Sequence, residues 1–162
     1  MSVKPVPDGY FTVTPWIISP DAAGLIDYVT AAFGAEEIAR VGDENGIAHA
    51  EVRIGDSVVM MFDSKPGWPP TPAFLRLYVP DADAVHRRAV AAGGTSVTEV
   101  THLFFGDRVG RVRDPLGNLW WIQTRVEDLS AEEMERRLSD PTFTEAMDYV
   151  TGAEFFPSTV EN

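Results

Sequence analysis

Leu25, Ile26, Val29 and Phe33 recur at the spacing of a buried helical stripe, between the start signal Ser19-Pro20-Asp21 and the stop Gly34. Before this helix, residues 11–19 read as an extended segment rich in β-branched and aromatic side chains. After it, three short strands are expected at residues 36–41, 47–54 and 57–63, separated by Asp43-Glu44-Asn45-Gly46 and Gly55-Asp56. The same order then returns. Residues 73–79 are extended, and Val85, Ala89 and Ala92 form a thinner apolar stripe that stops at Gly93-Gly94. His86, Arg87 and Arg88 flank that stripe and are expected in water. Strands follow at 96–103, 108–113 and 119–125, with turns at Gly106-Asp107 and Asp114-Pro115-Leu116-Gly117-Asn118.

The recurrence is visible residue by residue. A shift of 60 positions places Pro20-Asp21-Ala22 on Pro80-Asp81-Ala82, Ala31-Ala32 on Ala91-Ala92 and Gly34 on Gly94. The chain therefore reads as two tandem βαβββ modules, residues 10–63 and 73–126, that form a cupped mixed sheet of α+β class. Residues 64–72, with four prolines and Trp68, are the connector. Residues 127–162 form a C-terminal helical extension. In it Ser130-Ala131-Glu132-Glu133 is a capping-box pattern for a helix that Asp140-Pro141 ends, and Thr142-Phe143-Thr144-Glu145 repeats the pattern for a last helix to about Val150. Leu129, Met134, Leu138, Phe143, Met147 and Tyr149 give these helices apolar residues. Covering a sheet of the same chain is the preferred use for them, and joining a dimer is the other.

Composition narrows the chemistry. Cysteine is absent, which excludes disulfides, thiolate nucleophiles and Cys-ligated metal centres. The net charge of −12 opposes a nucleic-acid partner, because a phosphate backbone needs a basic face. No apolar run reaches the roughly 20 residues of a membrane span, and residues 1–9 lack an apolar signal core, so a cytoplasmic protein without membrane contact is expected. The acidic C-terminal residues, from Glu127 to Glu161, read as a solvated face. No Ser/His/Asp arrangement or phosphate-cradling loop points to another enzyme class.

Local signatures extend the reading. Pro7-Asp8-Gly9-Tyr10, Ala32-Phe33-Gly34-Ala35-Glu36, His49-Ala50-Glu51, Phe105-Gly106-Asp107-Arg108 and Asp114-Pro115-Leu116-Gly117-Asn118 before Trp120-Trp121 occur in an order that resembles the vicinal-oxygen-chelate superfamily. That superfamily includes glyoxalases, dioxygenases and bleomycin-resistance proteins, and the likeness is to its PhnB-like branch, from residue 4 to about 137. The resemblance implies a glyoxalase/bleomycin-resistance fold around a small-molecule pocket, and often a homodimer, sometimes with modules exchanged between chains. In metal-using members the first and last strands of each module supply His, Glu or Gln. Those places fall here on Thr14, on Met60 or Met61, on Phe74 and on Trp121. Such residues make no site for zinc, magnesium or manganese. His49 and Glu51, two apart on one strand face, are an outside candidate for a metal, with His102 as a third partner.

No cofactor is therefore expected. The residues expected to line the pocket are Thr14, Trp16, Met60, Trp68, Phe74, Arg76, Phe104, Phe105, Trp121 and Gln123, an aromatic cavity with a few polar handles. The expected function is metal-independent binding that sequesters a hydrophobic or aromatic ligand, which the acidic surface would bias towards cations. Catalysis is not favoured. The alternative is a metal-dependent glyoxalase-like lyase or isomerase, or a dioxygenase.

Overall fold

The carboxylate of Asp21 accepts from the Gly24 amide at 2.9 Å, satisfying one of the donors that a helix start leaves without an internal partner. That cap opens α1 (Ala22–Phe33), which closes on Gly34 at φ 69°, a left-handed turn that costs glycine nothing. Asp81 repeats the device for α2 (Ala82–Ala91), accepting from the Ala84 amide at 2.9 Å. The computed structural model that shows these caps describes residues 3–153.

Around α1 lie β1 (Trp16–Ser19), β2 (Glu36–Asp43), β3 (Gly46–Ile54) and β4 (Ser57–Asp63). Around α2 lie β5 (Phe74–Tyr78), β6 (Thr95–His102), β7 (Asp107–Arg113) and β8 (Leu119–Arg125). Each module makes its own four-stranded sheet, in the orders β1-β4-β3-β2 and β5-β8-β7-β6. In both, the first strand pairs in parallel with the last, and the remaining pairs are antiparallel. The expected first strand is shortened at its start. Thr14 Oγ1 donates back to the Phe11 carbonyl at 3.3 Å and Pro15 has no amide to offer, so the ladder begins at Trp16.

The duplication extends to side-chain clamps. Asp63, ending β4, accepts from the Ala22 and Ile47 amides, both at 2.6 Å. Thr124, near the end of β8, accepts from the Ala82 amide and donates to the Val79 carbonyl, both at 2.7 Å. A denser network sits in the second module. Buried Asp114 accepts from the Leu116 and Asn118 amides at 2.9 and 3.0 Å, and from Asn118 Nδ2 and Trp120 Nε1 at 2.9 and 2.8 Å. Asn118 then accepts from the Ala73 amide at 2.9 Å, tying the β7–β8 turn to the entry of β5.

Between the sheets α1 meets α2. The Tyr28 hydroxyl donates to the Ala89 carbonyl at 3.2 Å, and Arg88 Nε donates to the Ala32 carbonyl at 2.9 Å. Phe33 of α1 packs on Trp120 of β8, with ring centroids 4.8 Å apart. One core thus takes residues from both modules, including Ile17, Leu25, Val52, Met61, Val112 and Trp120. Each sheet turns its other face away from it. At the seam a Cβ on Gly94 would lie 2.5 Å from Val112 and 2.6 Å from the Tyr28 hydroxyl, so only glycine lets the modules approach.

The structure corrects the expectation for His86, which is buried, with Nε2 at 3.0 Å from the Thr98 carbonyl. It belongs to the packed stripe Ala82, Val85, His86 and Ala89. Gly110 in mid-strand makes room for it, since a Cβ there would lie 2.8 Å from the imidazole.

The C-terminal extension forms α3 (Ala131–Leu138) and α4 (Pro141–Gly152). Ser130 caps α3 by accepting from the Glu133 amide at 3.2 Å, but the Glu133 carboxylate is taken by Arg136 and Arg137, so the capping box is only half made. Asp140 caps α4, accepting from the Thr142 amide at 3.0 Å, and Pro141 starts that helix because its missing amide costs nothing there. The expected cap at Thr142 is two residues late for this reason. α4 lies on β6 and β7 of its own chain, burying Val150 against Leu103 and Val109. Among the described residues no helix is long and apolar enough to cross a membrane.

Two outcomes follow. Asp114→Ala removes the acceptor for buried Trp120 Nε1 and should cost about 3 kcal/mol, read as a lowered midpoint in urea unfolding with unchanged slope. The second concerns α3, where hydrogen bonds from Arg136 and then Arg137 push the Glu133 carboxyl down to about 2. Hydrogen bonds from Arg137 likewise lower Glu127. A depressed carboxyl stabilises the fold fully above its ordinary value of 4.5 and loses that contribution as pH falls towards its folded value of about 2. Protection factors of α3 amides, taken against the intrinsic exchange rate at each pH, should fall between pH 4.5 and 2 before those of the sheets do.

Candidate functional site

Strand alternation decides which side chains leave the core. On the first sheet Ile17, Val52, Val59 and Met61 face α1, so Trp16, Met60, Phe62, His49 and Glu51 take the open face. Met60, in register with Trp16, is therefore the open-face methionine, and Met61 is a core residue. The N-terminal segment crosses this face: the Tyr10 hydroxyl donates to Glu51, and His49 Nε2 lies 2.9 Å from the same carboxylate. Glu51 is lowered by the hydrogen bond from Tyr10 and then by that from His49, whereas accepting Glu51 raises the Tyr10 phenol. Tyr10, Phe11, Thr14, Glu51 and Met60 line a cavity of about 500 Å³.

Trp16 is 64% exposed, its ring 4.9 Å from that of Phe62. Phe62 in turn meets Trp68 edge-on at 6.1 Å. Trp68 also lines a second cavity of about 330 Å³ with Ile18, the connector prolines and Leu116. A third, of about 730 Å³, runs along the seam between Phe33, Trp120, the β3–β4 turn and the edge of β5.

On the second sheet Leu75, Leu77, Trp120 and Ile122 face the core. Phe74, Arg76, Tyr78, Trp121 and Gln123 take the open face, with Arg76 opposite Trp121 and Tyr78 opposite Gln123. Arg111 of β7 stands opposite Trp121 on its other side. The two guanidinium carbons lie 4.9 Å (Arg76) and 4.8 Å (Arg111) from the indole centroid, a cation–π row across three strands. Arg111 is fully buried and donates to the Val150 carbonyl, which binds α4 to this face. Burial lowers its pKa, with Arg113 adding to the effect. Gln123 is buried, donating to the Tyr78 hydroxyl at 2.9 Å and to Asp107. Phe104 and Phe105, on the β6–β7 turn, meet edge-on at 5.2 Å, and Phe105 joins Trp121 and Met147 around Val150.

The ten residues picked from the sequence thus fall into two groups. Thr14, Trp16, Met60 and Trp68 belong to the first sheet and the connector beside it; Phe74, Arg76, Phe104, Phe105, Trp121 and Gln123 belong to the second. None of the three cavities is lined by both Met60 and Trp121. Sequence reasoning missed Tyr10, whose partner is 41 residues away, and Arg111, which the period of two on β7 could have placed beside Trp121.

The donor set does not fit a metal. Thr14, Met60, Phe74 and Trp121 offer one hydroxyl and one thioether, and the hydroxyl is engaged by the Phe11 carbonyl. His49 and Glu51 bond to each other, and His102 pairs instead with Glu127 at 2.9 Å on the other sheet. Among the described residues no group of three or more His, Cys, Asp or Glu is placed to hold an ion.

Comparison with known proteins agrees with this architecture. Residues 10–122 match the family model described as Glyoxalase/Bleomycin resistance protein/Dioxygenase superfamily. An uncharacterised protein of Mycobacterium bovis is 34% identical over 139 residues, covering 78% of this chain and 91% of that one. A Mycobacterium tuberculosis protein, also uncharacterised, is 34% identical and covered to 82%. The crystal structure of TioX from Micromonospora sp. ML1 superposes with a TM-score of 0.59 at 22% identity, over 74% of this chain and all (100%) of that one. FosX, a fosfomycin resistance protein of Listeria monocytogenes, gives 0.58 at 16% identity over 76% and 97%. On the family match and the mycobacterial relatives, this chain belongs to the glyoxalase/bleomycin resistance protein/dioxygenase superfamily.

Proposed function

We propose that this chain is a metal-independent small-molecule binding protein of the PhnB-like branch, holding a planar aromatic ligand against Trp121. The observation that carries the reading is the Arg76–Trp121–Arg111 row. A half-buried indole held by two guanidiniums stands at the place that the family resemblance assigns to a last-strand metal ligand. The Listeria FosX has been solved with Mn(II) bound; Thr14, Met60, Phe74 and Trp121 offer no carboxylate or imidazole for such an ion. A ring set edge-to-face against the open edge of Trp121 gains about 0.5–1.5 kcal/mol beyond burial, enough to favour flat ligands over aliphatic ones of equal area.

The partner in this reading is a second copy. Each chain presents two open faces that turn away from one core, so a ligand on one of them is covered on one side only. Of the four edge strands, β1 and β5 carry Trp16, Phe74 and Tyr78 at 64%, 47% and 64% exposure. Exposed apolar side chains along unpaired edges are a liability that a symmetric contact removes. Placing β1 of one copy beside β5 of the other brings Thr14, Trp16 and Met60 opposite Phe74, Arg76 and Trp121. The two groups of sequence-picked residues then share a single cup.

Protein purified without added metal should hold less than about a tenth of an equivalent of divalent ion by elemental analysis, and a stoichiometric ion would overturn metal independence. In a thermal-shift screen, flat aromatic compounds should raise the melting temperature. Trp121→Ala should weaken their binding at least about tenfold in calorimetry while leaving the circular-dichroism spectrum folded. Sedimentation should show a dimer that Trp16→Lys shifts to monomer; a wild-type monomer would remove the shared cup.

A further inference from the structure

Net charge and local charge disagree in this molecule. The chain carries −12, which taken alone favours cationic ligands. Among the described strand residues, the open face of the second sheet is richer in the opposite charge. Alternation puts Arg76, Arg111, Arg113 and Arg125 on it with one described strand carboxylate, Asp107. That carboxylate is engaged, accepting from Gln123 and lying 3.6 Å from Arg125, which also bonds Asp128 at 3.1 Å.

Arg76 differs from the other arginines of this face. It is exposed and packs on the Trp121 ring, no carboxylate of the described residues lying within ion-pair distance. Stacking uses the flat side of a guanidinium and leaves its N–H edge in the plane, where it can grip a carboxylate through two parallel hydrogen bonds. Arg111 fixes the same ring from the neighbouring strand. Its charge is buried, where Coulomb attraction is screened far less than in water. An anion beside Arg76 therefore meets an exposed guanidinium, and the ring behind it sets the plane of whatever the anion is attached to.

We infer that the ligand class of this face is an aromatic anion, a planar ring bearing a carboxylate, with the ring against the edge of Trp121 that the two guanidiniums leave open and the carboxylate on Arg76. This rests on the proposed reading of Trp121 as an aromatic platform and adds the sign of the ligand's charge. Tyr78 and Phe74, exposed on the same strand on either side of Arg76, wall the site along β5.

The test uses matched probes on one ring frame: 1-naphthoate, 1-naphthamide and 1-naphthylmethylamine, titrated by calorimetry into the full chain at low and high salt. The expected order is naphthoate tighter than naphthamide by at least about fivefold, and naphthylmethylamine weakest, with the naphthoate advantage shrinking at high salt. Arg76→Gln should erase that advantage while leaving naphthamide binding within about twofold; Arg76→Lys should keep part of it, having charge without the planar fork. The amide or the amine binding as tightly as naphthoate, or Arg76→Gln weakening all three alike, overturns the inference while the aromatic platform stands. Binding by none of the three overturns the platform itself, and the inference with it.

Discussion

The buried carboxylate of Asp114 is the interaction on which most else in the second module depends. Its two oxygens accept from two amides of their own turn, from Asn118 and from the indole of Trp120. A carboxylate out of water is tolerable only with its lone pairs filled, and here four donors fill them. In return the turn sets the register of β7 on β8, and with it which of two adjacent tryptophans enters the core. Trp120 goes in, meeting Phe33 of the other module; Trp121 goes out, between Arg76 and Arg111. A one-residue slip would exchange their roles and lose both the core seam and the open-face row.

The two modules share a plan but have diverged in what covers them. The open face of the first sheet is crossed by the N-terminal segment through Tyr10 and Glu51, and that of the second by α4 through Arg111 and Val150. Each cover leaves the first strand of its module exposed, at Trp16 in β1 and at Phe74, Arg76 and Tyr78 in β5. The glutamate–tyrosine–histidine group and the arginine–tryptophan row thus lie on opposite modules with opposite signs of charge.

Much of the fold was legible because its signals are local. Asp21 and Asp81 cap helices one module length apart, Gly34 closes the first helix, and the turn at Asp114–Asn118 announces its hairpin. Strands were read to within a residue or two, except where Pro15 and the Thr14 hydroxyl shortened β1. His86 was misread because its burial depends on a glycine 24 positions away, Gly110, which no local window reports. The site was legible in its parts and not in its assembly. Period-two alternation correctly grouped Phe74, Arg76 and Tyr78, and Trp121 with Gln123. Nothing in a linear pattern reveals that α1 and α2 pack on each other, which is what turns the two aromatic groups away from a common core.

The parallel closure of each module, β1 on β4 and β5 on β8, also shapes how the chain acquires its structure. Hairpins β2–β3–β4 and β6–β7–β8 close short loops and can form early, but the strand that completes each sheet is the first of its module and must wait for the last. During synthesis the edge of β4 stays unpaired until Asp63 has emerged and β1 has swung back across α1. The second module repeats the wait up to Arg125. Each half therefore completes its sheet in one late step, and the Pro-rich connector separates two closure events of the same topology.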